Sequence, residues 1–170
     1  MDGLRVAVLG VVAVGAVVDV RSRRIPNFLT FGAAVAGIGL HAWTAGCAGL
    51  LFGVSGWLLG AVLFLPMFLL RAMGAGDLKL LAAVGSFLGP IGVLWAAFFT
   101  ALAGGVLALL IAVFNRYTRT AFRNLRAMLG FWQAIGIQPY PGVTLSDGSG
   151  PRLAYGLAIA AGTLAAVWFT

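Results

Sequence analysis

Residues 28–70 read FLTFGAAVAGIGLHAWTAGCAGLLFGVSGWLLGAVLFLPMFLL, 43 positions without one Asp, Glu, Lys or Arg. A helix needs about 20 apolar residues to cross the hydrocarbon core of a bilayer, so this run suits two crossings and fits one or three badly. An even number of crossings returns a chain to the face it left. The run is bracketed by DVRSRRIPN (residues 19–27) and, a few residues beyond its end, by GAGDLKLLAAVG (residues 74–85). The chain has only four acidic residues, and two of them, Asp19 and Asp77, sit in these brackets. They are therefore expected at the same face and similar depth, although far apart in sequence.

Composition supports the membrane reading. Hydrophobic residues make up 62% of the 170-residue chain and charged residues 9%, with a mean hydropathy of +1.06. Soluble domains carry about 25% charged residues. Continuous rather than alternating apolar runs exclude a membrane barrel and leave a helical bundle. The net charge of +7 would point to nucleic acid in a soluble protein, but no basic tail or aromatic-interleaved basic domain is present. Here the cations are expected to set topology, and no nucleic-acid partner is expected. Cys47 is the sole cysteine and His41 the sole histidine, so neither a disulfide nor a Cys/His metal cluster is expected. The first apolar stretch runs into Asp19 without a small-residue cleavage site, so it does not read as a cleavable signal.

Six apolar segments follow, at residues 4–18, 28–43, 47–70, 78–88, 91–114 and 153–169. The fold class expected is thus an all-α integral membrane bundle of about six transmembrane helices, one domain over residues 1–170. Gly89-Pro90 separates the short fourth segment from the fifth. In the third, Gly49 and Gly53, then Gly56 and Gly60, recur at the spacing that lets helix backbones approach closely, unless they merely reflect a glycine-rich chain. Arg21, Arg23, Arg24, Arg71, Lys79, Arg116, Arg119, Arg123, Arg126 and Arg152 all fall in the connections after segments one, three and five; the opposite connections and ends hold only Arg5. The positive-inside rule puts those three connections in the cytoplasm and both termini outside.

The connection at residues 115–150 is the only sizeable non-membrane stretch. On a helical wheel Arg116, Arg119, Arg123 and Arg126 gather on one side and Phe122, Leu125, Leu129 and Trp132 roughly opposite. That pattern describes an interfacial amphipathic helix on an anionic inner leaflet, or alternatively a helix capping the bundle. Residues 138–151, QPYPGVTLSDGSGP, read as an irregular loop with Asp147 a turn residue.

Each aspartate has a structural reading. Asp19 ends a helix, where a carboxylate meets the unfavourable pole of the dipole and the adjacent arginines could compensate it as an ion pair. Asp77 precedes a helical run and could serve as an N-cap. Gly74 and Gly76 around it permit close backbone approach and positive φ, which a cap alone does not require. As a pair the two carboxyls suggest chemistry. Carboxyls brought together do not both ionise easily, so one keeps its proton: the ionised member can take a proton from water and the other donate to a carbonyl oxygen. Isolated His41 and the five serines give no competing catalytic set.

These stretches resemble the bacterial prepilin peptidases, membrane aspartic proteases of the GxGD class, and most of all the short form associated with Flp/Tad-type pili. DVRSRRIPN is similar to the family's first-aspartate motif, with Asp19 at the catalytic position and Ile25-Pro26-Asn27 as its tail. GAGDLKLLAAVG is similar to the second, with Asp77 at the catalytic position and Lys79 in its usual place; residues 152–164, RLAYGLAIAAGTL, resemble the start of the last helix. The resemblance implies an inner-membrane aspartic endopeptidase, free of metal and cofactor, that cuts the short basic leader from pilin precursors at the cytoplasmic face. In that reading Gly74 and Gly76 shape the loop that admits substrate backbone, Pro26 restricts the turn after the first motif and Asn27 caps the second helix. Longer members carry an N-terminal domain with cysteine pairs and methylate the new pilin terminus; that activity is not expected here. The alternative is a proton-coupled transporter with the same aspartates as relay groups, although substrate sites of transporters tend to lie near the midplane.

Overall fold

The structure, a computed structural model, describes residues 2–139 and 154–169, and these are helical throughout apart from their connections. The helices are α1 (Asp2–Ser22), α2 (Asn27–Leu69), α3 (Ala75–Phe114), α4 (Thr118–Ile135) and α5 (Tyr155–Val167). α1, α2 and α3 are each long and apolar enough to cross a membrane; α5 is apolar but shorter. The loop expected at residues 138–151 lies, after Pro139, outside the described residues, as do Asp147 and Arg152.

Neither long helix is straight. In α2 the backbone leaves helical geometry at Gly46, with φ 59° and ψ −139°. Beyond it a methyl built on Gly53 would stand 3.1 Å from the Cα of Ile38, and the rings of His41 and Phe52 meet at 5.1 Å. Fifteen residues of unbroken helix would separate residues 38 and 53 by about 22 Å, so the chain doubles back. α3 breaks at Gly89, φ 71° and ψ −174°, immediately before Pro90. Across that break Val93 returns to within 3.2 Å of a methyl built on Gly85. Both positions need a left-handed backbone that glycine adopts without penalty. The break in α3 strands the Phe87 carbonyl, and the His41 ring nitrogen Nε2 bonds to it at 2.9 Å. The lone histidine thus closes a helix end.

The first half of α3 is the centre of the bundle. Residues 80–87 are buried without exception, Leu80, Leu81, Ala83 and Val84 completely. A helix that is apolar all round is one enclosed on all sides. Gly15 of α1 admits the Leu80 side chain; Gly53, Gly56 and Gly60 of α2 press against the backbone of Ser86, Gly85 and Leu81. Gly49 meets the His41 carbonyl instead, within its own hairpin. All four spaced glycines are buried at close backbone contacts, which composition alone does not explain. α5 packs on α3 and α1, while among the described helices α4 touches only α3 and buries none of its residues.

Three helices end on an arginine. Arg23, Arg71 and Arg116 occupy left-handed backbone, φ 51°, 57° and 55°. After α2 the amides of Ala72 and Arg71 bond to the carbonyls of Met67 and Phe68; after α3 those of Tyr117 and Arg116 bond to Ala112 and Val113. These are Schellman closures with arginine where glycine is usual. The conformation costs each arginine about 1–2 kcal/mol, offset in part by a cation at the negative helix pole.

Candidate active site

Asp19 lies one turn before the end of α1, with Arg23 closing that turn by bonding to the Asp19 carbonyl at 2.8 Å. The side chain faces inward, 7% exposed, and its Oδ2 accepts a hydrogen bond from the Gly156 amide of α5 at 2.9 Å. The closeness is steric as well: a methyl on Gly156 would lie 2.9 Å from the Asp19 Cβ.

Asp77 stands at the third position of α3, with Gly74 as the N-cap. The N-cap role expected of Asp77 is therefore displaced by three residues. Its Oδ2 instead reaches back to accept from the Gly74 amide at 3.3 Å, half of a capping box. Asp77 is partly exposed at the mouth of the central helix. Asp19 and Asp77 are near enough for their charges to interact.

The surrounding residues differ in detail from expectation. Neither glycine of the second bracket uses positive φ; Gly74 sits at φ −77°. Gly76 matters for space, since a methyl there would come 3.1 Å from the Cβ of buried Ile25. That contact clamps the tail of the first bracket to the head of the second. Pro26, φ −70°, is itself the N-cap of α2 and its carbonyl accepts from the Leu29 amide. Asn27 does not cap the helix: it is the first helical residue, and the N-cap before it is Pro26, which has no amide hydrogen to offer. Its Oδ1 instead accepts from Lys79 Nζ at 2.9 Å, and that ammonium lies 5.3 Å above the Phe31 ring. Lys79 thereby ties the start of α2 to the start of α3.

Residues 6–109, including both aspartates and both brackets, match the profile of the type IV leader peptidase family. The chain belongs to that family. It is accordingly a leader-peptidase-like protein with apolar helices suited to a membrane. Searches of curated proteins and of solved structures find no match to this chain.

Sequence reasoning read residues 152–164 as resembling the family's last helix but gave none of them a place at the site, and α5 lies beyond the matched span. Yet in its first turn Gly156 donates to Asp19, and Tyr155 beside it packs on both long helices. The Tyr155 ring packs edge-on against Phe64 of α2, centroids 6.1 Å apart, and its hydroxyl fills the space beside Gly104 of α3. The signal available was weak: a glycine in the opening turn of an apolar helix.

Proposed function

We propose that this type IV leader peptidase is an aspartic endopeptidase that removes the short basic leader from Flp-like pilin precursors at the cytoplasmic face of the inner membrane. The observation that carries the reading is that Asp19 and Asp77, from separate helices, come near enough for their charges to interact, with Gly76 beside Asp77 packed on Ile25 of the first bracket. One carboxylate takes a proton from water as its oxygen attacks the scissile carbonyl; the other, protonated, gives its proton to the carbonyl oxygen. The tetrahedral intermediate then collapses, the C–N bond breaks, and the departing amine takes up the proton first removed from water. The pair titrates jointly.

The topology supports this chemistry. With α2 and α3 each folded back at a glycine, α1, the two halves of α2, the two halves of α3, and α5 supply six crossings. The arginine-closed ends of α1, α2 and α3 gather on one side, which the positive-inside rule makes cytoplasmic, with both termini opposite. α4 keeps Arg119, Arg123 and Arg126 along one stripe and buries nothing, as suits a helix lying on an anionic leaflet. The precursor's own hydrophobic helix would lie beside the bundle and deliver its leader junction to the exposed side of Asp77. Gly74 shapes the loop there, while Gly76, Lys79, Pro26 and Asn27 hold the two brackets together.

The test is processing of a co-expressed precursor, read by gel mobility and N-terminal sequencing. Asp19→Asn and Asp77→Asn should each lower processing by about 10³-fold or more, and Asp147→Asn should leave it unchanged. Full processing by either well-expressed dyad variant would overturn the mechanism. Loss of proton-coupled solute flux in the same variants, with pilin still processed, would favour transport.

A further inference from the structure

The matched span ends at residue 109, so α5 lies outside it. The packing of α5 is nonetheless tight and specific. Gly162, one helical stretch below the site, lies flush against the Thr100 backbone of α3; a methyl there would collide with it. The Tyr155 ring is held between Phe64 of α2 and Gly104 of α3. The first turn of α5 is thereby fixed relative to α2 and to α3, the helix that carries Asp77, and its Gly156 is buried against Asp19 of α1 with no space for a side chain. The Gly156 amide belongs to the opening turn of the helix, one of the donors that no carbonyl within the helix can satisfy. It finds its acceptor in the carboxylate of Asp19, 137 positions away.

We propose that Gly156 is a positioning residue for Asp19, acting twice: its amide holds Oδ2, and its missing Cβ leaves the carboxyl room to stand beside the helix end with Oδ1 left for the water. The brackets in α1 and α3 supply the two acids, and the last helix sets the angle of one of them. Only the kinetic consequence rests on the peptidase reading; the contact itself does not.

Tyr155-Gly156 is the only Tyr-Gly pair in the chain. Labelling tyrosine carbonyl carbon with ¹³C and glycine nitrogen with ¹⁵N therefore leaves a single carbonyl-correlated amide resonance, that of Gly156, in the full-length protein in detergent micelles. Asp19→Ala should move this amide proton upfield and speed its exchange with solvent, while Asp77→Ala should do neither. An unchanged resonance in Asp19→Ala would overturn the proposal, whether or not the chain is a peptidase. In the kinetic arm, Gly156→Ala should lower kcat about 100-fold, the scale of a 1 Å misplacement of a reacting group, with KM within about two-fold of wild type. Gly162→Ala places a comparable clash on the same helix away from Asp19; it should lower the melting temperature with a much smaller change in the kcat of folded enzyme. Equal kcat losses at the two glycines would reduce Gly156 to a packing residue, and wild-type kcat in Gly156→Ala would also overturn the idea. A wild type that processes no precursor would sink the peptidase reading while leaving the resonance test to decide the contact.

Discussion

Replacing Gly56 by alanine tests whether the bundle is built on backbone contact between α2 and α3. A methyl at position 56 would run into the Gly85 carbonyl and stand 2.8 Å from the Cα of Gly89; a methyl at position 85 would meet the Gly56 carbonyl in return. The obstructing atoms are backbone on both sides, so no side chain can swing clear. Carbon atoms pack at about 3.5–4.0 Å, hence the helices must part by roughly 1 Å along the one segment buried on every face. Overpacking of this kind costs about 1–3 kcal/mol. Alanine's greater helix preference opposes it by about 1 kcal/mol. At Gly105, helical and open with nothing within 4 Å, that preference acts alone. Gly56→Ala and Gly105→Ala should therefore change stability in opposite directions. A 2 kcal/mol gap between them corresponds to about 4–8 °C for a chain of this size. Thermal melting followed by fluorescence-detected size exclusion in a mild detergent reads the difference. The pair Gly56→Ala/Gly85→Ala should lose less than the sum of its parts, because one separation of the helices accommodates both methyls. A Gly56→Ala protein melting at or above Gly105→Ala would refute the close seam.

Three further outcomes are expected. His41→Ala leaves the buried Phe87 carbonyl without the ring nitrogen, costing about 1–3 kcal/mol; its melting temperature should fall, while that of Cys47→Ala, at an exposed position, should not. Arg71→Gly loses the cation at the helix pole but removes the larger left-handed penalty, so it should be up to ~1 kcal/mol more stable than wild type and melt higher, whereas Arg71→Ala keeps the penalty, loses the cation and should melt lower; the reverse order would argue against the strained closure. Lys79→Met and Asn27→Ala break the same contact, so processing by the double variant should be no worse than by the weaker single one; additive losses would show that the two residues act separately.

Much of this fold was legible because lipid imposes a length. A charge-free run of twice the crossing length forces a turn somewhere in its middle, and Gly46, in the gap between the segments at residues 28–43 and 47–70, is where the backbone can make it. Gly89 was legible for a related reason, since the following proline cannot continue the bonding of the helix before it. What the pattern did not reveal was which segment lies at the centre. The shortness of residues 78–88 looked like a deficiency; it marks the helix that meets other helices on every side, packed on glycine rather than on lipid. Nor could the sequence distinguish glycines needed for φ from glycines needed for space. Gly74 and Gly76 resembled the former, but Gly76 serves packing on Ile25, and the left-handed closures expected of glycine fall on three arginines. An arginine there both ends a helix and places a cation at its negative pole, and glycine would supply only the first.

The site was legible to the extent that its parts are local. Asp19 and Asp77 stand out because carboxylates are scarce in this chain and each sits among chain-breakers, and counting crossings put them on one face. The contribution of α5 is not local. A backbone amide carries no side-chain identity, so its donation to Asp19 leaves no trace in the sequence except that position 156 must be small. This asymmetry has a physical basis: Asp77 finds its donor three residues back, within its own helix start, whereas Asp19 sits near the far end of α1, where the free backbone groups are carbonyls and none can donate. A carboxylate at that pole needs a donor from elsewhere, and the opening turn of another helix is the nearest source of unbonded amides. The two acids therefore depend on different parts of the chain. Changes in α5 should disturb Asp19 before Asp77, whatever peptide the bundle receives.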